Sequence, residues 1–119
     1  MKSTLIIKKN SIFRYILRNG KFYKGNCIVV HISDKKVLKN QKTDTNYLGI
    51  CVSKKNGNSV CRNKLKRWVR EIYKNEESKL KKNYSIVVLF KKNYLFENIN
   101  YSQVLTDIKN CFKELDLYE

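Results

Sequence analysis

The stretch Val52–Tyr73 reads V-S-K-K-N-G-N-S-V-C-R-N-K-L-K-R-W-V-R-E-I-Y, and its pattern guides the interpretation of the whole chain. Wound as a helix from about Ser59, the stretch places five apolar side chains on one side. These are Cys61, Leu65, Trp68, Val69 and Ile72. Spacings of three and four residues are typical of a helix that buries one side against a core. The sequence therefore predicts an amphipathic helix here.

The opposite side of this predicted helix is cationic. At about 100° per residue, its basic and amide residues form one continuous arc. They are Arg62, Asn63, Lys64, Lys66, Arg67, Arg70 and Lys74. A solvated helix face is the common explanation of a charge run. However, residues 54–82 hold eleven Lys or Arg against three Glu, a local +8 that is half of the chain's +16. Because like charges on one face repel, we interpret this surface as one that binds a polyanion.

The same residues carry a resemblance to a known family. The run S-K-K-x-G-N-x-V-x-R-N-K-x-K-R-x-x-R-E, here Ser53 to Glu71, is similar to the signature of the protein subunit of bacterial ribonuclease P. Chain length, an N-terminal K-K-N-x-x-F stretch and the order of elements extend the resemblance over nearly the whole chain. One position departs from the signature, because Lys64 stands where the family usually has a second Arg. A Lys keeps the charge but lacks the bidentate guanidinium fork.

The resemblance implies a function in tRNA processing. In that family an RNA subunit with Mg²⁺ cleaves the 5′ leader from precursor tRNA, and the protein assists. The Mg²⁺ is held mainly by the RNA subunit and the substrate. The expected partners are therefore the ribonuclease P RNA and precursor tRNA, without a membrane or an obligate protein partner.

Two binding surfaces are implied by the same resemblance. The surface that faces the RNA subunit comprises Lys54, Lys55, Asn58, Arg62, Asn63, Lys64, Lys66, Arg67 and Arg70. The second is a cleft between the first helix and the sheet that holds the single-stranded leader, with Phe13, Leu17 and His31 at the matching positions and Arg14 and Arg18 on the rim. Helical pattern alone would make Phe13 a core residue. Only the resemblance favours base stacking on its ring, an interaction worth about 1–3 kcal/mol.

Composition bounds the chain to one folded domain. Its 119 residues suffice for a single modest core, so residues 1–119 are predicted to form one RNA-binding domain with a basic lead-in at 1–8. The four cysteines show no C-x-x-C pairing, a poor pattern for zinc, and each falls in an apolar run. Buried, reduced thiols are expected. Without a signal peptide or a long apolar segment, a cytoplasmic location is expected.

Periodicity and turn signals divide the chain into seven elements. They are a helix from Asn10, taken as its cap, to Gly20; strands at Phe22–Lys24, Cys27–Ser33 and Tyr47–Ser53, with a loop at 34–46; a helix from Ser59, capped by Asn58 or Ser59, to about Lys81; a buried strand at Ser85–Phe90; and a last helix beginning near Asn98 to Tyr101. The order α-β-β-β-α-β-α predicts an α+β domain with one mixed, four-stranded sheet packed with helices. The resemblance implies the fold of the second domain of a small-subunit ribosomal protein, with a left-handed β-α-β crossover.

No catalytic cluster is visible in the sequence. A self-sufficient nuclease needs a general base, metal-binding carboxylates or a positioned nucleophile. The lone His31 lies in a predicted strand without a neighbouring carboxylate, and the ten acidic residues are scattered. Trp68 shares the apolar stripe and is interpreted as a core residue. Two alternatives stay open: a structural RNA-binding protein of ribosomal type with the same fold, and a helix-based DNA binder that prefers duplex sites.

Overall fold

A five-stranded mixed sheet organises the protein, in the strand order β1-β4-β5-β3-β2. The computed structural model describes residues 3–34 and 42–119. The elements are β1 (Thr4–Ile6), α1 (Asn10–Asn19), β2 (Lys21–Lys24), β3 (Ile28–Ser33), β4 (Asn46–Cys51), α2 (Ser59–Glu76), β5 (Ser85–Phe90) and α3 (Tyr101–Glu114). Strand β4 runs parallel to β1 and β5, whereas β3 is antiparallel to β2 and β5. The predicted α+β class is confirmed.

The predicted count of four strands is wrong, because part of the supposed lead-in forms a fifth. Strand β1 pairs in parallel with β4, with Thr4 opposite Asn46. The backbone N–H of Ile7 continues the ladder by donating to the carbonyl of Leu48 at 2.8 Å. Three residues are too few to show a strand periodicity, so the sequence carried no signal for β1. The first residues of the predicted lead-in, 1–2, lie outside the described residues, as do 35–41 of the predicted loop.

The central unit β4-α2-β5 is confirmed, since β4 and β5 are parallel neighbours joined through α2. The left-handedness of this crossover stays a prediction. Asn58 caps α2 as expected, and its side chain accepts a hydrogen bond from the N–H of Cys61 at 2.9 Å. The predicted end of α2 near Lys81 is wrong. The helix ends at Glu76 and a short 3-10 turn follows, because Lys81 donates instead to the carbonyl of Leu117 in the C-terminal segment.

Helix α1 begins differently from the prediction. Asn10 is its first helical residue, and the capping position falls to Lys9, whose side chain makes no capping hydrogen bond. The helix ends before Gly20 as predicted, where the Gly20 N–H donates to the carbonyl of Ile16 at 2.9 Å.

The two faces of the sheet are covered unequally. One face, here called the covered face, packs against α2 and α3 in a core that includes Leu48, Leu65, Ile86 and Phe112, all fully buried. The other, here called the open face, is covered by α1, and together they bury a small cluster of Ile7, Ile16, Tyr47 and Val87. One short helix cannot span five strands. Part of the open face therefore stays in contact with solvent.

The cysteines are free, as expected, but only two of them are buried. Cys27 and Cys111 lie in the core of the covered face, where burial raises the pKa of each thiol, to about 12 and about 11 respectively. Cys51 and Cys61 are half-buried, so the prediction of burial is wrong for these two. Across the described residues, no helix is both long and apolar enough to span a membrane.

Candidate nucleic-acid interface

The outer surface of α2 presents a row of cations. Arg67 and Arg70 are exposed, as is the amide residue Asn63, and Arg62 and Lys66 are half-buried. We call these five residues the basic face. The two ion pairs among the described residues, Lys79 with Glu76 and Lys81 with Asp116, both lie beyond the C-terminal end of this face or at its last turn. The positive charge of the basic face is thus left without an acidic partner in the part of the chain that the structure describes.

Arg62 differs from the other members of the basic face. Its Nε is enclosed and, among the described residues, has no hydrogen-bond partner. An enclosed guanidinium N–H contributes to packing as well as to charge. Arg70 is therefore the better position at which to test charge alone.

Lys64 lies at the edge of the cationic arc of α2, next to the aromatic side of the helix. It is exposed, and its Nζ is 5.8 Å from the ring centroids of both Trp68 and Phe96. These rings stack on each other with centroids 5.7 Å apart, and Trp68 packs against the core as predicted. A Lys over two aromatic faces gains a cation–π interaction. The position at which this chain departs from the family signature is thus occupied by a residue held over aromatic rings.

The segment that carries Lys54 and Lys55 is fixed from below by Asn56. The side chain of Asn56 is fully buried; its amide donates to the carbonyls of Lys91 and Tyr94 at 2.8 and 2.7 Å. Its oxygen accepts the N–H of Ser53 at 2.9 Å. The two exposed lysines are therefore displayed on a rigid base, next to the start of α2.

The turn that follows depends on glycine. Gly57 has φ of 153°, and a Cβ there would lie 3.0 Å from the Cβ of Cys61. A side chain would be strained by both conformation and space. The next residue, Asn58, uses its side-chain oxygen in the α2 cap, so only its amide N–H groups remain for a ligand.

A groove of about 570 Å³ runs between the N-terminal half of α1 and the end of β4. Its apolar surface comes from Phe13, Leu89 and Ile50–Val52, and its cations are Arg14, Lys66 and Lys92, with Asn10 and Ser53 completing the lining. We call this the main groove. A smaller groove of about 250 Å³ shares Phe13, Ile50 and Lys66 with it and ends at Arg70. The main groove therefore leads directly to the basic face.

Phe13 owes its position in the main groove to Gly49. A Cβ built on Gly49 would lie 2.4 Å from Cε1 of the Phe13 ring, so the ring rests directly on the backbone of β4. This close approach requires the absence of a side chain. The ring is half-buried and packs beside the cluster of Ile16, Tyr47 and Val87.

The other predicted cleft residues are placed less uniformly. Arg14 lines the main groove beside Phe13, whereas Leu17 is half-buried against the cluster under α1. Arg18 is exposed in the last turn of α1. His31 lies on β3 opposite Val87 and makes a tilted ring contact with Phe22 on β2, with ring centroids 5.3 Å apart. The structure thus brings Phe13 and Arg14 together in the main groove and places His31 to one side of it.

His31 is a neutral, partly enclosed imidazole. Burial lowers its pKa below the ordinary value of 6.5, and among the described residues its Nδ1 has no hydrogen-bond partner. Desolvation disfavours the charged form of histidine. Its ring therefore presents an aromatic surface to Phe22 near neutral pH.

Several residues of the main groove were not predicted from the sequence. Lys92, Leu89, Cys51 and Ser53 line the main groove, and Lys66, assigned by resemblance to the RNA-subunit surface, lines it too. Burial raises the pKa of the Cys51 thiol, so it contributes as a small apolar group. A lysine just after a buried strand gives no local signal of such a role. Only the alternation in β4 indicated which of its side chains share a face.

The described residues do not form a metal site of their own. Within residues 3–34 and 42–119, no three His, Cys, Asp or Glu side chains come close enough to hold an ion. The carboxylate of Asp107 is buried and accepts the N–H groups of Asn26, Cys27 and Ile28. It holds the β2–β3 turn against α3.

The described residues form an α+β domain in which a basic helix face without acidic partners adjoins a groove with apolar walls and cationic rims. These are features of a nucleic-acid-binding protein. Comparison with known proteins narrows this class. The model of the ribonuclease P family matches residues 1–116. The chain belongs to the ribonuclease P protein family.

Individual relatives agree in sequence and in fold. The ribonuclease P protein component of Clostridium novyi is 33% identical over 118 residues, covering 99% of each chain. That of Clostridium acetobutylicum is 35% identical over 111 residues, which covers 93% of this chain and 88% of the relative. The solved structure of the Staphylococcus aureus RNase P protein superposes with a TM-score of 0.80 at 30% identity, covering 96% of this chain and 97% of that one.

Proposed function

We propose that this chain is the protein subunit of a ribonuclease P holoenzyme, and that it binds the catalytic RNA subunit and the single-stranded 5′ leader of precursor tRNA. Family membership supports a role in a ribonuclease complex for tRNA processing, with the ribonuclease P RNA as partner. The observation that carries the finer proposal is the continuity of the main groove with the basic face through Lys66. One RNA-binding surface can then serve two RNA molecules.

The basic face is the proposed contact with the RNA subunit. Its cations have no acidic partner among the described residues, so they are available to phosphates. Each phosphate that is neutralised releases condensed counterions, and with Z contacts log K falls against log salt with a slope of about −0.7Z to −0.9Z. Lys54 and Lys55, on the rigid base that Asn56 provides, extend this contact beyond the helix.

The main groove is the proposed contact with the leader. Phe13 offers a ring that is fixed against Gly49, and stacking a base on such a ring is worth about 1–3 kcal/mol for any base. Arg14, Lys66 and Lys92 surround the apolar surface and can follow the leader's phosphates. Base stacking and the neutralisation of backbone charge do not depend on which base is present, so they suit leaders whose sequences differ.

Bond cleavage is assigned to the RNA subunit. Mg²⁺ would be held by the RNA subunit and the substrate, where it would activate the attacking water and stabilise the leaving oxygen. The chain's own residues hold two polyanions together and reduce the repulsion between them. Such a protein would work in the cytoplasm, without a membrane and without an obligate protein partner.

Reconstitution tests the proposal. Adding the purified chain to ribonuclease P RNA and precursor tRNA at low Mg²⁺ should stimulate leader removal. We expect Arg70→Gln to weaken assembly with the RNA subunit and to reduce the salt slope by about one contact, or 0.7 to 0.9. Lys109→Gln on α3 is the matched control, because it also removes one exposed charge but leaves the basic face intact.

A second variant separates the two contacts. Phe13→Ala should raise the Kd for precursor tRNA with a long leader by about 5- to 100-fold and leave the Kd for mature tRNA unchanged. Equal increases in the Kd for both substrates would show that the leader does not bind in the main groove. Cleavage that the wild-type chain does not stimulate would instead point to a purely structural RNA-binding protein.

A further inference from the structure

One row of residues crosses the open face from its middle to its edge. Gly49, Val87, His31 and Phe22 are successive partners across β4, β5, β3 and β2. Phe13 rests on Gly49, and Val87 is fully buried under α1. His31 is half-buried, and Phe22 is 54% exposed. The row therefore leaves the cover of α1 as it approaches the β2 edge.

Phe22 is the most exposed aromatic ring among the described residues, ahead of Tyr15 at 39%. An isolated exposed ring needs no explanation. Phe22, however, is paired with His31 at a centroid distance of 5.3 Å and an angle of 31° between the rings. The two rings stand side by side on neighbouring strands, with His31 on the inner one. We call this pair the Phe22 platform.

Two exposed lysines flank Phe22 along β2, and one of them shares its face of the sheet. Lys24 lies two residues further along β2, so its side chain leaves the sheet on the same face as Phe22, and it is exposed. Lys21 is exposed at the start of the same strand. Exposed lysines on an edge strand disfavour pairing with the strand of another protein. They are compatible with the phosphates of a nucleic acid.

The Phe22 platform lies within reach of the main groove. Leu89, which lines the groove, is opposite Val29, and Val29 is opposite Lys24. Neighbouring strands are about 4.8 Å apart, so the platform edge of the sheet lies about 10 Å from the groove floor on β5. This separation is short enough for one continuous single strand to contact both.

We propose that the Phe22 platform is a second base-stacking position for the same single-stranded RNA that enters the main groove. An unpaired base stacks on the exposed side of Phe22, and an adjoining phosphate lies near Lys24. This inference rests on the proposed function, because the strand in question is the leader. It adds a specificity-determining residue, since the second position is available only to leaders long enough to cross the open face.

An abasic scan of the leader tests the inference in the reconstituted holoenzyme. Precursor tRNAs each carry one abasic nucleotide at successive leader positions, and the Kd of each is measured. We expect two sensitive positions with the wild-type chain, each raising the Kd about 5- to 100-fold. Phe22→Ala should abolish the sensitivity at one position, and Phe13→Ala at the other.

Matched variants test whether the effect requires an aromatic ring at position 22. Phe22→Tyr should keep the second sensitive position, whereas Phe22→Leu should lose it, because a leucine is apolar but offers no ring. Tyr15→Ala removes another exposed ring on the far side of α1 from the main groove and should change neither position. Should Phe22→Ala prove unstable, the scan with the wild-type chain still decides, since a single sensitive position excludes the platform.

The possible failures can be told apart. One Phe13-dependent position without a Phe22-dependent one would overturn the inference and leave the proposed function standing. A scan without any position that depends on Phe13 or Phe22 would overturn both. An effect of Phe22→Ala on mature tRNA as large as on precursor tRNA would also overturn the inference, because the platform would then act elsewhere than on the leader.

Discussion

The covered face and the open face of the sheet come from the same strands and differ in what lies above them. On the covered face, α2 and α3 exclude water from a core in which Leu65, Ile86 and Phe112 are fully buried. On the open face, α1 protects only a small cluster, and Leu89, Cys51 and Phe22 keep contact with solvent. The comparison shows where a small chain finds surface for binding: the covered face supplies most of the buried core, and the proposed leader contacts lie on the open face.

Helix α2 connects the two faces. Its apolar side closes the covered face through Leu65 and Val69, while Lys66 and Arg70 reach the grooves beside the open face. A ligand on the open face thus contacts the element that holds the core together. Substitutions that probe binding must therefore be chosen so that they do not also disturb the core.

The largest expected difference between the faces is in stability. Leu65→Ala should lower the free energy of unfolding by about 2–5 kcal/mol, because it leaves a cavity in a fully buried site. The matched change Leu89→Ala on the open face should cost about 1 kcal/mol, because that side chain is half-buried and water can fill the space. Urea denaturation of both variants gives the comparison. Equal losses would mean that the open face is packed as tightly as the covered one.

Thiol chemistry offers a smaller difference that tests the same comparison. Cys27 and Cys111 lie under the covered face with pKa values raised to about 12 and about 11, first by burial and then by Asp107. The thiolate is the reactive form, so both should resist iodoacetamide until the protein unfolds. Cys51 and Cys61 are half-buried and should react in the folded protein, Cys51 more slowly because burial also raises the pKa of its thiol.

The ligand provides a control for the thiol experiment. Cys51 lines the main groove and Cys61 does not. Precursor tRNA bound to the holoenzyme should slow modification of Cys51 relative to the same complex with mature tRNA. Modification of Cys27 as rapid as that of Cys51 would show that the covered face opens more readily than its burial indicates.

The sequence predicted the covered face better than the open one. Two patterns identify core positions without knowledge of the fold. They are the apolar run of β5 and the helical spacing of Leu65, Trp68, Val69 and Ile72. Those signals are local. The basic face was predictable for the same reason, since charges on one helix share a side wherever that helix packs.

The groove depended on contacts that no local pattern encodes. Lys92 joins Lys66 and Arg14 only because β5 ends beside β4 and below α1, and Phe13 is fixed by Gly49 from another element. Likewise, the buried amide of Asn56 binds two carbonyls more than thirty residues away, which no local pattern indicates. The resemblance placed Phe13 and His31 in one cleft but gave no sign that Phe22 would pair with His31.

The smallest expected effect is the pH dependence that His31 contributes. Burial lowers its pKa in the folded protein below the ordinary 6.5. Between that lowered value and about 6.5, the unfolded chain binds a proton that the folded chain does not, so stability should fall as pH drops through this window. His31 is the chain's one histidine, and no other side-chain type ordinarily titrates between about pH 5 and 8.

A double difference isolates this contribution. The decrease in Tm from about pH 7.5 to about pH 5.5 is measured for the wild-type chain and for His31→Gln, which cannot titrate. The decrease should be smaller in the variant, because the remaining groups change their protonation little in this range. An unchanged decrease would show that His31 is as accessible to protons as it is in the unfolded chain. The imidazole beside Phe22 would then be exposed to solvent rather than enclosed.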